Sequence, residues 1–170
     1  MSPHPLAVRV VAELAARGER IAVAESLTGG LLTSALVDVP GASAVVSGGV
    51  VAYATPLKAA LLGVDATLLA ERGAIDGDVA RQMAHGVRTR LVLDGHPADH
   101  GVATTGAAGP DPQDGHAPGT VWLGYADAAG ADAELLALTG TRDEIRRATV
   151  DEALRMLARR LGIAEGGIRE

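Results

Sequence analysis

Residues 21–37 read IAVAESLTGGLLTSALV. Ile21-Ala22-Val23-Ala24 is short, apolar and bounded by polar residues, which predicts a buried strand. Glu25-Ser26-Leu27-Thr28-Gly29-Gly30 interrupts it, and a helical pattern then runs through about Val37. Strand, turn and helix in that order form the repeating unit of alternating α/β folds.

The flanking sequence extends the alternation. Upstream, Leu6, Val10, Val11, Leu14 and Ala15 fall at helical spacing over residues 4–18, and Gly18 stops the run. Downstream, Val45 to Ala54 predicts a second strand ending near Tyr53, and Pro56 suits the first turn of a short helix carrying Lys58 through Leu62. Asp76 or Asp78 can cap a helix whose stripe is Val79, Met83, Val87 and Leu91, ended by Asp94-Gly95 and Pro97. Gly101 to Thr105 reads as a strand, and Gly106 to Pro118 as a loop rich in Gly, Pro and Asp. Strands near Thr120 to Ala126 and Glu134 to Leu138 precede a helix from about Arg142 to Leu161, opened by the capping box of Thr141 and Glu144. With no linker and no repeat, the expectation is one domain, a three-layer α/β/α sandwich with a mixed sheet. Its length of 170 residues supports one substantial core rather than two.

Composition excludes several kinds of chemistry. The absence of cysteine removes disulfides, thiolate nucleophiles and cysteine-ligated metals. A formal charge of −6 and an aromatic set of only Tyr53, Trp122 and Tyr125 leave no basic footprint or base-stacking platform, so nucleic acid is not an expected partner. No apolar run approaches the ~20 residues needed to span a bilayer, and Met1 to Pro5 lacks the order of a secretory signal. A soluble, cytoplasmic protein without membrane contact is expected. The assembly is left open between a monomer and a homodimer, the commonest symmetric state.

Of the fifteen basic residues, fourteen are arginine and one, Lys58, is lysine. A guanidinium stays charged at any working pH, whereas a desolvated lysine becomes a neutral amine base. Lys58 therefore stands out before any motif is consulted, against the plainer reading of a surface lysine left by chance.

Ligands in open α/β sheets sit at the carboxyl ends of strands, and three loops fall there. In the first, Ser26 follows a strand, and the amides of the small residues behind it, Thr28, Gly29 and Gly30, are candidates to stabilise an oxyanion. The plainer alternative is that Ser26 is a helix cap. In the second, Tyr53 and Lys58 lie five positions apart across a strand-to-helix turn. A neutral lysine can take a serine proton directly or through a tyrosine hydroxyl, provided it is buried; alternatively, Tyr53 only fills a sheet face. In the third, the run Thr104-Thr105-Gly106-Ala107-Ala108-Gly109-Pro110 allows close backbone approach to a ligand. Arg142 and Arg146 share one helical face from which they can meet a phosphate, or they form an exposed face balanced by Asp143 and Glu144. His4, His85, His96, His100 and His116 stand in no triad context. Pro97 and Gly101 argue against a helical His96–His100 metal pair, so no metal site and no cofactor are expected.

Several ordered landmarks together resemble the CinA C-terminal domain family, the competence-damage-inducible proteins. They are Ala24-Glu25-Ser26-Leu27-Thr28-Gly29-Gly30, Tyr53 with Lys58, Gly73-Ala74, Thr105-Gly106-Ala107-Ala108-Gly109-Pro110, Gly119-Thr120-Val121-Trp122 and Gly140-Thr141-Arg142. The resemblance runs from about Ile21 to Leu161. Standalone members of the family include nicotinamide-nucleotide amidohydrolases, and the resemblance implies that activity here, with a small nucleotide as substrate. It implies that Ser26 attacks the carboxamide carbon of nicotinamide mononucleotide while Lys58 and Tyr53 handle the proton. It also implies that Thr105 and Arg142 line the site, with the amides of Thr28 to Gly30 holding the oxyanion. Asp111-Pro112-Gln113-Asp114 departs from the more glycine-rich loop frequent in relatives, and Ile75-Asp76 stands where Val-Ser is frequent. Longer relatives carry an N-terminal molybdopterin-binding-like domain that this sequence does not contain.

Overall fold

A computed structural model of the chain describes residues 2–164. Helix α1 (Pro5–Arg17) has Pro5 in its first turn and ends at Gly18, whose left-handed φ of 67° suits the cap. Strand β1 (Ile21–Glu25) leads through the turn to α2 (Leu31–Val37), and a 3₁₀ turn precedes β2 (Val46–Val51). Helices α3 (Thr55–Leu62), α4 (Ala66–Arg72) and α5 (Gly77–Arg90) follow, then β3 (His100–Gly106), β4 (Thr120–Ala126), β5 (Ala131–Ala137) and α6 (Arg142–Arg160).

The sheet order is β2-β1-β3-β4-β5. β1 pairs in parallel with β2 and β3, whereas β3–β4 and β4–β5 are antiparallel, so the sheet is mixed as its alternating pattern predicts. Alternate residues of the central strands face opposite layers. Val23 and Val102 join Val10, Leu14, Leu36, Leu154 and Leu157 of α1, α2 and α6 in one core. Ala22, Ala24 and Ala103 join Leu62, Leu69, Val79, Met83 and Val87 of α3, α4 and α5 in the other.

The second layer lies very close to the sheet. A Cβ on Gly101 would stand 2.1 Å from the Ala84 carbonyl oxygen, and one on Gly124 would stand 2.1 Å from that of Ala80. These absent side chains let the backbone of α5 rest on β3 and β4. Asp76, not Asp78, caps α5 by accepting from the amides of Asp78 and Val79, and Thr141 with Glu144 forms the capping box of α6.

Three elements differ from the sequence reading. The last strand begins at Ala131 rather than near Glu134. The second strand ends at Val51 rather than near Tyr53, because the Ala52 carbonyl turns out of the ladder to accept from Lys58. The seven-residue α4 was not anticipated; with barely two turns it prints no periodic stripe, and its signal is Asp65, which accepts from Thr67 N. His96 lies in a tight turn with Leu93 and His100 opens β3, so the pair has no helical ligand geometry. Among the described residues no helix is long and apolar enough to cross a membrane, and no group of three or more His, Asp or Glu converges as a metal site.

Candidate active site

The turn after β1 is held from three directions. Glu25, fully buried at the end of the strand, accepts from the amides of Gly30 (3.0 Å), Leu32 (3.0 Å) and Thr33 (2.8 Å) and from the Thr33 hydroxyl (2.6 Å). It thus satisfies the otherwise unpaired amides at the start of α2 and places a carboxylate where that helix end favours negative charge. From β3, the Thr104 carbonyl accepts from Ser26 N at 3.0 Å, and the Thr104 and Thr28 hydroxyls share a 2.8 Å bond. From α6, Arg146 donates through Nε to the Leu27 carbonyl (2.8 Å) and through Nη2 to the Thr28 carbonyl (3.1 Å).

Lys58 reaches Ser26 from the other layer. Its ammonium lies 3.1 Å from Ser26 Oγ, 2.8 Å from the Ala52 carbonyl oxygen and 3.5 Å from that of Tyr53. The side chain is 1% exposed. Burial lowers its pKa from 10.5 to about 8, and the negative charge of Asp114 opposes that shift. In the neutral form its two N–H groups suit the two carbonyls, and its lone pair is left to accept from the Ser26 hydroxyl.

Tyr53 lines the same cleft as Ser26, with its phenol hydrogen-bonded to neither Ser26 nor Lys58. Its phenol is 59% exposed, and its oxygen accepts from Arg142 Nη2 at 3.0 Å; only its backbone carbonyl faces Lys58. Arg142 also donates to the Gly109 carbonyl at 2.8 Å, so it ties the Tyr53 wall to the Gly106–Pro118 loop. These walls enclose a cleft of about 110 Å³ lined by Ser26, Leu27, Tyr53, Gly106, Ala108, Gln113 and Arg142. Two larger open grooves of about 500 Å³, one along Leu62 to Arg90 and one beside Val39, include neither Ser26 nor Lys58.

Three expectations from the sequence are corrected. The amides of Gly29 and Gly30 already bond to the Ser26 carbonyl (3.1 Å) and to Glu25 (3.0 Å), so neither is available to an oxyanion. Thr105 is buried behind the cleft, its hydroxyl donating to the Ala74 carbonyl at 2.6 Å, and Gly106 and Ala108 are the residues of that run that line the wall. Arg146 holds backbone carbonyls instead of standing beside Arg142 to meet a phosphate.

The sequence reading assigned no role to Glu25, Ala108, Gln113 or Asp114. An acid six residues before the first residue of a helix is a signal for Glu25. Asp114-Gly115 is a turn signal, and both residues adopt positive φ, 50° and 79°, in a tight hairpin closed by Gln113 and His116.

The Ser26 hydroxyl and the buried Lys58 amine thus meet at the carboxyl end of β1, a parallel strand of this α/β fold. The chain belongs to the CinA C-terminal domain family, whose model matches residues 3–161. A CinA-like protein of Frankia casuarinae is 47% identical over 152 residues, which cover 89% of this chain and 34% of that protein. A putative competence-damage inducible protein of Geobacillus kaustophilus is 47% identical over 143 residues, 83% of this chain and 33% of its own. The chain thus spans about a third of the length of these curated relatives. Among solved structures, the competence/damage inducible protein CihA from Agrobacterium tumefaciens is 36% identical with a TM-score of 0.84, covering 95% of this chain and 99% of that one.

Proposed function

We propose that the chain is a serine amidohydrolase that deamidates nicotinamide mononucleotide to nicotinate mononucleotide and ammonia. The observation that carries this reading is the buried Lys58 nitrogen 3.1 Å from Ser26 Oγ. With a pKa of about 8, roughly one lysine in ten is neutral at pH 7, enough to act as a base without histidine or metal.

Neutral Lys58 takes the Ser26 proton as Oγ bonds to the carboxamide carbon, and the carbonyl oxygen becomes an oxyanion. Collapse of that tetrahedral species breaks the C–N bond, and the Lys58 proton leaves with the nitrogen as ammonia. Water, deprotonated by the same amine, then attacks the acyl-serine and releases the carboxylate with Ser26 restored. Tyr53 acts in this scheme as a wall and as the partner of Arg142, and proton transfer runs directly between Ser26 and Lys58.

At roughly 30 Å³ per water, the cleft holds the volume of about four waters, room for a carboxamide with its ring toward the opening. The ribose phosphate then extends past Tyr53 toward Arg142, whose exposed guanidinium keeps donors beyond the two it uses. The same small volume favours a second reading, an amidase for a small carboxamide without a phosphate.

Ammonia release from nicotinamide mononucleotide, nicotinamide riboside and nicotinamide, run in parallel, separates the readings. The nucleotide is expected to turn over fastest. Equal rates for free nicotinamide would support the second reading, and release from none would leave a nucleotide-binding module in which Ser26 has no catalytic role. On the proposed reading the activity serves pyridine-nucleotide salvage in the cytoplasm and needs no cofactor.

A further inference from the structure

We infer that Arg146 is a positioning residue that aims the oxyanion-binding amides of the nucleophile turn, an inference that rests on Ser26 being the nucleophile. With Gly29 and Gly30 amides committed, the donors left beside Ser26 are the amides of Leu27 and Thr28. Neither has a protein acceptor among the described residues, although both residues are buried. A buried amide without a partner is uncommon and calls for an explanation.

Peptide geometry shows how they are aimed. Carbonyl and N–H of a trans peptide lie in one plane and point in opposite directions, so a bond that holds one fixes the other. The Ser26 carbonyl accepts from Gly29 N at 3.1 Å, which orients the Leu27 N–H. The Leu27 carbonyl accepts from Arg146 Nε at 2.8 Å, which orients the Thr28 N–H. Arg146 Nη2 on the Thr28 carbonyl, at 3.1 Å, secures the next plane, whose N–H closes the turn.

In a turn closed from the first carbonyl to the fourth amide, as at a helix start, the second and third N–H groups are left without a backbone acceptor in the turn, and the third is one that the first residue's side chain can reach. Here that side chain is Ser26, and its oxygen is engaged by Lys58. A backbone amide just after a nucleophilic serine is a position from which an oxyanion is stabilised in other serine hydrolases. A guanidinium is suited to this clamp because its planar fork serves two carbonyls at once. Among the described residues the hydrogen bonds of Arg146 go to those two carbonyls, and its side chain is not part of the cleft lining.

The test compares wild type, Arg146→Lys, Arg146→Ala and Ser26→Ala, all checked by thermal melting. It uses two readouts: steady-state ammonia release from nicotinamide mononucleotide, and the rate at which a fluorophosphonate labels Ser26, followed by intact mass. In labelling, Ser26 Oγ bonds to phosphorus, fluoride leaves, Lys58 takes the serine proton, and the phosphoryl oxygen occupies the oxyanion position.

Arg146→Ala is expected to slow labelling and lower kcat by about 10- to 100-fold, less than the 10²–10³-fold of deleting an oxyanion donor outright. KM should change by less than about threefold, and the pH midpoint set by Lys58 should stay in place. Arg146→Lys should fall between wild type and alanine, and added guanidinium ion should partly restore Arg146→Ala. A folded Arg146→Ala protein that labels at the wild-type rate overturns the inference, as does a loss confined to melting temperature. Labelling of wild type without ammonia release overturns the proposed substrate while leaving the Arg146 comparison intact. A wild-type protein that is never labelled, like Ser26→Ala, overturns both.

Discussion

Lys58 Nζ stands 3.1 Å from Ser26 Oγ although 32 positions separate them in the chain. The contact joins the α3 layer to the turn after β1, so it depends on how the layers pack rather than on local sequence. Replacing the amine by a guanidinium keeps the charge and removes the base. Lys58→Arg should lower kcat by at least ~10³-fold with a much smaller change in KM, measured by ammonia release on protein whose fold is checked by circular dichroism. Because the pocket is tight, Lys58→Gln serves as the smaller control and should be equally inactive. Near-native turnover in either folded variant would remove the lysine base.

The lowered lysine pKa makes a separate prediction for pH. Only neutral Lys58 accepts the serine proton, so kcat/KM should rise with pH through about 8 and then level off. Stability moves in the same direction. Between about 8 and 10.5 the unfolded chain binds a proton at Lys58 that the folded chain has lost, so unfolding becomes harder as pH rises across that window. The difference in melting temperature between wild type and Lys58→Gln should therefore shift in favour of wild type over this range. A difference independent of pH would show that the lysine titrates alike in both states.

Glu25 holds the turn that carries Ser26 by its bonds to the start of α2. Glu25→Ala removes the acceptor of three amides and one hydroxyl in a fully buried position. Its expected cost is on the order of 3 kcal/mol, which urea unfolding would register as a lower midpoint with an unchanged slope. Glu25→Gln keeps one acceptor oxygen and should lie between the two. A midpoint within experimental error of wild type for the alanine variant would mean that α2 needs no such cap.

Arg142 bridges Tyr53 and the Gly109 carbonyl at the mouth of the cleft. If the substrate phosphate also meets this guanidinium, Arg142→Ala should raise KM for nicotinamide mononucleotide by at least ~10-fold and for the riboside by much less, a comparison made by parallel kinetics. Equal losses for both substrates would assign Arg142 to holding the cleft walls alone.

What the sequence determined by itself was local. Hydrophobic period, caps and turn residues placed α1, α5 and α6 and the buried strands, because each depends on residues within a few positions of one another. The Thr141–Glu144 box was legible for that reason: both partners stand on one turn of helix. The single lysine among fourteen arginines marked Lys58 without any structure, since composition alone separates a cation that can lose its proton from one that cannot. The short α4 escaped because two turns carry too little pattern.

Only the tertiary structure decided which side chains meet. Arg146 lies 119 positions from Leu27, and nothing in its own helix distinguishes a guanidinium aimed at backbone carbonyls from one awaiting a phosphate. The same holds for Tyr53, whose phenol turned toward Arg142 while its carbonyl turned toward Lys58, and for Thr105, spent on Ala74 behind the cleft. Gly29 and Gly30 looked available because their amides face no competitor in the linear chain; in the fold the Ser26 carbonyl and the Glu25 carboxylate take them. Directional bonds of about 3 Å between distant elements depend on how layers cross and how far side chains reach, and no sequence period records either.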